Sequence, residues 1–140
     1  MIGVGAMLHI LGGGSENSAE KYYGREIRSA KIEDDELKIA FSDGTRIRIL
    51  DDGQSCCEHR YMTTDDDPSS LVGQKLVRIE TKPAADVEGD YDVHETVFVE
   101  IGTDQGFISI VNHNEHNGYY GGFGLTIREE TDTENFNEGF

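Results

Sequence analysis

Three groups of residues in this 140-residue chain could do chemistry. Asp52-Gly53-Gln54-Ser55-Cys56-Cys57-Glu58-His59-Arg60 brings two thiols, a carboxylate, an imidazole and a guanidinium into one stretch. Asn112-His113-Asn114-Glu115-His116-Asn117-Gly118-Tyr119-Tyr120-Gly121-Gly122-Phe123-Gly124 brings amides, imidazoles and aromatic rings into another. The arginines form the third, because cations are scarce. Cys56, Cys57, His59, His113 and His116 are ligand types for a soft metal, but adjacent cysteines cannot easily both face one ion. His-x-x-His puts two rings on one face only in a helix, and Asn117-Gly118 argues against a helix. The cysteines then read as small buried hydrophobes and the histidines as loop residues. A thiolate–imidazole pair gains almost no support from Cys57 and His59 being close in sequence. Asp34-Asp35 and Asp65-Asp66-Asp67 suit solvated turns better than an acid–base pair. No catalytic residue, metal site or cofactor is therefore assigned.

The segment from Asn117 to Gly124 has a more specific meaning. Asn amides pair with purine edges or ribose hydroxyls, and Tyr119 and Tyr120 offer stacking faces. Glycines let a ligand approach the backbone. An Asn-Gly turn leading into an ordinary strand explains the same residues equally well. Arg60 and Arg128 each adjoin one of the two patches and are candidates for a diphosphate, by charge-assisted bonds in a partly desolvated pocket. Both also suit plain surface arginines. Arg46 and Arg48 alternate with apolar residues and should face solvent.

The elements that must position these residues are mostly strands. Residues Ile27 to Glu33 alternate, turn at Asp34-Asp35, and continue in Leu37, Ile39 and Phe41 with period two. Asp43-Gly44 is a hairpin signal, followed by Ile47 and Ile49. Gln54 to Met62 suits one helical turn or an irregular strand. Pro68-Ser69-Ser70 suits a short helix start closed by Gly73. Lys75 to Thr81 is a strand, Asp86 to Asp92 a loop, and Val93–Ile101 with Gly106–Val111 a strand pair across Thr103-Asp104-Gln105. Tyr119 to Ile127 is the last strand. The fold class predicted is α+β, mostly antiparallel sheet with one or two short helices. Residues 1–20 read as a flexible glycine-rich extension, 21–128 as a single domain, and 129–140 as an acidic tail.

Charge excludes further classes. With 28 acidic and 12 basic side chains the net charge is −16, which disfavours nucleic-acid polymers and anionic membrane surfaces. No apolar run reaches the ~20 residues of a membrane span, and Met1 to Leu11 lacks the basic start of a signal peptide. Two adjacent cysteines give no disulfide framework, so a reducing cytoplasm is expected. Five lysines among 28 acids also suit a salt-adapted proteome.

The pattern Gly53-Gln54-Ser55-Cys56-Cys57-Glu58, followed by Asp65-Asp66-Asp67 through Leu71-Val72-Gly73, Thr103 to Phe107 and Asn117-Gly118-Tyr119-Tyr120, resembles the phage anti-Thoeris sponge proteins. The resemblance spans roughly residues 24 to 128. It implies a non-catalytic homo-oligomer that sequesters a cyclic ADP-ribose-type immune signal in pockets at subunit interfaces. A second site for cyclic oligonucleotides is implied as well. Asn117 would contact the signal and Phe107 would stack on its base. The chain departs from the family in His113-Asn114-Glu115-His116, which stands where the family has a Trp-containing segment, and in Gly121-Gly122 after the tyrosines. The alternatives are a small metal- or cysteine-dependent enzyme acting on a nucleotide, and a protein-binding phage accessory.

Overall fold

A computed structural model describes residues 19–51, 58–83, 87–88, 93–116 and 123–130. Among these residues nine strands make two antiparallel sheets. The first has the order β1-β2-β3-β9, from β1 (Ile27–Glu33), β2 (Glu36–Phe41), β3 (Arg46–Asp51) and β9 (Leu125–Glu130). The second has the order β4-β8-β7-β5, from β4 (His59–Thr63), β5 (Leu76–Pro83), β7 (Val93–Thr103) and β8 (Gly106–His116). The short β6 (Val87–Glu88) also pairs with β7. Strands of both sheets feed one buried cluster, with Leu37, Ile39, Phe41, Ile47 and Ile49 from the first and Val97, Val99, Ile101, Ile108 and Ile110 from the second. Burying these β-branched and aromatic side chains between two sheets is the main stabilising term.

Local chemistry sets the turns. Asp34 and Asp35 take φ of 56° and 59°, which lets a two-residue turn follow the twist of β1 and β2. Gly44 has φ of 94°, and Asp43 accepts the Thr45 N–H at 2.9 Å, closing the predicted β2–β3 hairpin. Asp104 and Gln105 join the 11-residue strands β7 and β8. A register shift between Ile27 and Ser29 breaks the simple alternation of β1, so that Ile27 and Ala30 both reach the core.

The structure is mainly β. The short helices expected from the sequence are two 3-10 turns, Glu20–Tyr22 and Pro68–Leu71, and no α-helix occurs among the described residues. At Pro68–Leu71 the Asp67 carboxylate accepts the Ser69 N–H at 3.0 Å, but the segment ends after one turn because Val72 is extended. The stretch read as a helical turn or irregular strand ends in the regular edge strand β4. Its Met62 N–H is taken by Asp35 Oδ1 at 3.2 Å, a side-chain cap on an open sheet edge. Residues 86–92, read as a loop, contribute β6, and β9 runs on to Glu130, into the stretch assigned to the tail. Among the described residues no helix is long and apolar enough to cross a membrane.

Ile101 is fully buried in the centre of the second sheet. Ile101→Ala should cost about 2–5 kcal/mol, read as a fall in urea midpoint at unchanged slope.

Candidate functional site

The core turns polar at one end. Along the inward face of β8, Ile108 and Ile110 give way to Asn112, Asn114 and His116, which are 1%, 0% and 6% exposed. Across from them, on the inward face of β4, lies Arg60. Its Nη1 donates to both oxygens of Asp51 at 2.9 Å, and its Nε and Nη2 donate to Glu58 at 2.9–3.2 Å. Asn114 Nδ2 donates to Glu58 Oε2 at 3.3 Å, and Gly124 N–H donates to Asp51 Oδ1 at 2.8 Å. His116 meets Glu95 at 3.0 Å. Burial alone would lower the Arg60 pKa, but Glu58 and Asp51 outweigh it and hold the guanidinium above its ordinary value. Among the described residues the cluster holds one cation, Arg60, between two acids.

This polar end is where the two sequence patches meet. Asp51 and Glu58 flank residues 52–57, and Asn114 and Gly124 lie close to either side of residues 117–122; Arg60 joins these four in one network. Beside it a cavity of about 20 Å³ is lined by Asp35, Asp51, Arg60, Tyr61 and Asn112. Among the described residues Asn112 Nδ2 is buried without an acceptor. The cavity is large enough for one water or one hydroxyl, a group that could accept from the amide and donate to a carboxylate.

The outward face of the second sheet carries an imidazole cluster. Glu115 is paired across the strands with His59 on one side and His94 on the other. His94 Nε2 meets His113 Nδ1 at 2.9 Å, and His113 Nε2 meets Thr63 Oγ1 at 2.8 Å. Tyr61 stacks on His113 at 4.3 Å and donates its hydroxyl to Glu115. Burial and the Glu115 bond push the Tyr61 phenol up to about 12. The same bond, with nearby imidazoles, holds Glu115 below the usual carboxylate range. Burial and His94 keep His113 below its ordinary value. Among the described residues no three His, Cys, Asp or Glu side chains converge on a common metal position.

At the far end of β8, Phe107 is 57% exposed. The Arg78 guanidinium lies 5.6 Å from its ring centre and reaches it across Gly102. A Cβ on Gly102 would stand 2.6 Å from Arg78 Cγ, so only glycine leaves this path open. Arg78 also pairs with Glu100 at 3.0 Å.

The predicted site residues are therefore scattered within one chain. Arg60 is inside the sandwich, held by two carboxylates. Arg128 is exposed on the outer face of the first sheet, directly opposite Arg48. Phe107 is at the other end of the second sheet. Asn117, Tyr119, Tyr120, Cys56 and Cys57 lie outside the described residues. The histidines expected in a loop are on strand β8, where a spacing of three sends His113 outward and His116 inward. Arg46 does face away from the core, yet it is 6% exposed rather than solvated. Sequence reasoning missed Asp51, and it held Asn112 and Asn114 in the second patch without placing them on an inward strand face. Alternation along β8 would have found the last two had the strand been extended past Val111.

The chain belongs to the family described as DUF7448, a domain of unknown function, whose model matches residues 20–125. No curated protein and no solved structure matches it.

Arg60→Leu should cost about 3–5 kcal/mol at pH 7, because two buried carboxylates lose their cation. Those acids would then have raised folded pKa values, so the deficit should shrink between pH 7 and pH 5 in urea titrations. His113 gives a second test. Its folded pKa is below 6.5, so its contribution is complete above that value and lost as pH falls through the folded one. Wild type should lose stability on acidification relative to His113→Gln; parallel pH profiles would contradict the assignment.

Proposed function

We propose that this protein is a non-catalytic binder of a nucleotide-derived cyclic signal of the cyclic ADP-ribose type, working as a homo-oligomer with pockets between subunits. As a phage-encoded sponge it would hold the signal in the host cytoplasm without turning it over. The reading combines the family resemblance with one geometric fact. Phe107 is the second residue of β8, and Asn117 directly follows His116, where β8 ends. Nine strand steps lead from Phe107 to His116, roughly 30 Å at the usual strand rise. A nucleotide-sized ligand cannot touch both ends of that strand in one chain. If both residues contact it, they come from different copies, and a two-fold arrangement supplies each site with one end of each strand.

The face around Phe107 supports a base-stacking role. Its ring is exposed on one side, and Arg78 approaches it as a cation over an aromatic face. Arg60 contributes to the interior instead of offering an open guanidinium. A phosphate contact would then fall to cations on outer faces, among them Arg128. Affinity without turnover requires no nucleophile and no metal, only stacking, amide contacts and charge-assisted bonds.

Subunit mixing tests this reading. Phe107→Ala and Asn117→Ala should each abolish thermal stabilisation by cyclic ADP-ribose isomers while leaving the oligomer intact. Co-refolding the two variants should restore about a quarter of the sites, since some interfaces then combine an intact Phe107 with an intact Asn117. No recovery on mixing would refute the shared pocket, and full binding by both single variants would refute the site. Ligand released by heat should return chemically unchanged; a cleaved product would indicate an enzyme.

A further inference from the structure

The outer face of the first sheet concentrates positive charge in a strongly acidic protein. Lys31 pairs with Lys38, Lys38 with Arg48, and Arg48 with Arg128, so four cations stand in one row across all four strands. Like charges placed directly opposite each other on a sheet are destabilising. The neighbouring rows on that face add Arg46 on one side and Glu33, Glu36 and Glu130 in total. Five cations against three acids leave a surplus of two positive charges, in a chain whose net charge is −16. Local pairs compensate part of the row: Lys38 to Glu33 at 3.0 Å, Arg48 to Glu36 at 3.1 Å and Arg48 to Glu130 at 2.8 Å.

The middle of the face is also buried, although Arg128 at its edge is exposed. Ala40, Arg46, Lys38 and Leu50 are 1%, 6%, 8% and 8% exposed, although their side chains point away from the core. Among the described residues, the second sheet and the buried side chains of both 3-10 turns, Tyr22 and Leu71, belong to the core on the opposite side.

We propose that residues 131–140 are the occupant of this face. The segment Thr131-Asp132-Thr133-Glu134-Asn135-Phe136-Asn137-Glu138-Gly139-Phe140 holds three acids and no base. It follows Glu130 directly, and β9 is an edge strand of this sheet. Crossing from β9 to β1 covers three strand spacings, about 14 Å, whereas ten extended residues reach about 33 Å. The tail can therefore place Asp132, Glu134 and Glu138 along the cation row and a phenylalanine on Leu50 or Ala40. Residues 1–18 reach the fold at the other end of the chain and carry a single acid, Glu16, so they lack the complementary charge.

Amine acetylation of the full-length protein, read by mass spectrometry, tests the contact. In D132N/E134Q/E138Q, labelling of Lys31 and Lys38 should rise about tenfold, the combined worth of three surface ion pairs, with Lys75 and Lys82 unchanged. Wild type in 1 M salt should approach the same rates. Arg128→Glu should also deprotect Lys38, and adding Glu134→Lys should restore protection. Unchanged Lys38 labelling in the neutralised variant would overturn the proposal. Protection that grows with protein concentration would do so as well, assigning the face to a second copy.

Discussion

The structure depends on one buried ionic knot. Arg60 of the second sheet is held by Asp51 of the first and by Glu58 at the entry to β4, while Asn114 and the Gly124 amide donate further bonds to the same two carboxylates. Two stacked sheets need no such link where their inner faces are apolar, since burial alone joins Ile39, Ile49, Ile101 and Ile110. They need it where the inward face of β8 turns to Asn112, Asn114 and His116. Desolvating a guanidinium is costly, and two carboxylates with directed hydrogen bonds offset it better than one would. The same arrangement ties Asp51 and Glu58 to Asn114 and Gly124, residues far apart in the chain.

A second constraint is how a chain with 28 acids arranges 12 bases. Most of the cations pair with acids close by, yet their placement over the fold is uneven. One is buried at the knot, and four are aligned across the first sheet. Arg78 is spent against Phe107, over the gap left by Gly102. Each placement trades the general repulsion of an acidic surface for a local field of opposite sign, and local fields are what screening by salt spares at short range. A strongly acidic protein can therefore still recognise phosphate, provided the recognition is confined to these places.

The outer face of the second sheet shows how one strand serves two environments. Odd-numbered residues of β8 present Phe107, His113 and Glu115 outward while even-numbered ones build the core and the polar end. The 11 residues of that strand separate its two ends too far for one small ligand. Oligomerisation is the simple way for a fold of this kind to bring such ends together, which is the geometry adopted in the functional reading.

The sequence determined the parts governed by local rules. Period-two alternation and Asp43-Gly44 specified the β2–β3 hairpin, Asp34-Asp35 specified the preceding turn, and the β7–β8 pair was legible up to Val111. Alternation failed where its phase changes or where polar residues occupy inward positions, as in the bulge after Ile27 and in Asn112, Asn114 and His116. The α+β expectation failed because a capped Pro68-Ser69-Ser70-Leu71 run is too short to propagate a helix once Val72 packs extended. The candidate residues Arg60 and Phe107 were visible as residue types, but their situation was not. Whether a guanidinium is open to a phosphate or locked between carboxylates depends here on Glu58, 2 residues away, and on Asp51, 9 residues away in the other sheet, brought there by the packing of the two sheets. Local sequence fixes which side chains can share a strand face; only the tertiary structure decides which faces meet, because burial and pairing energies belong to contacts between distant segments.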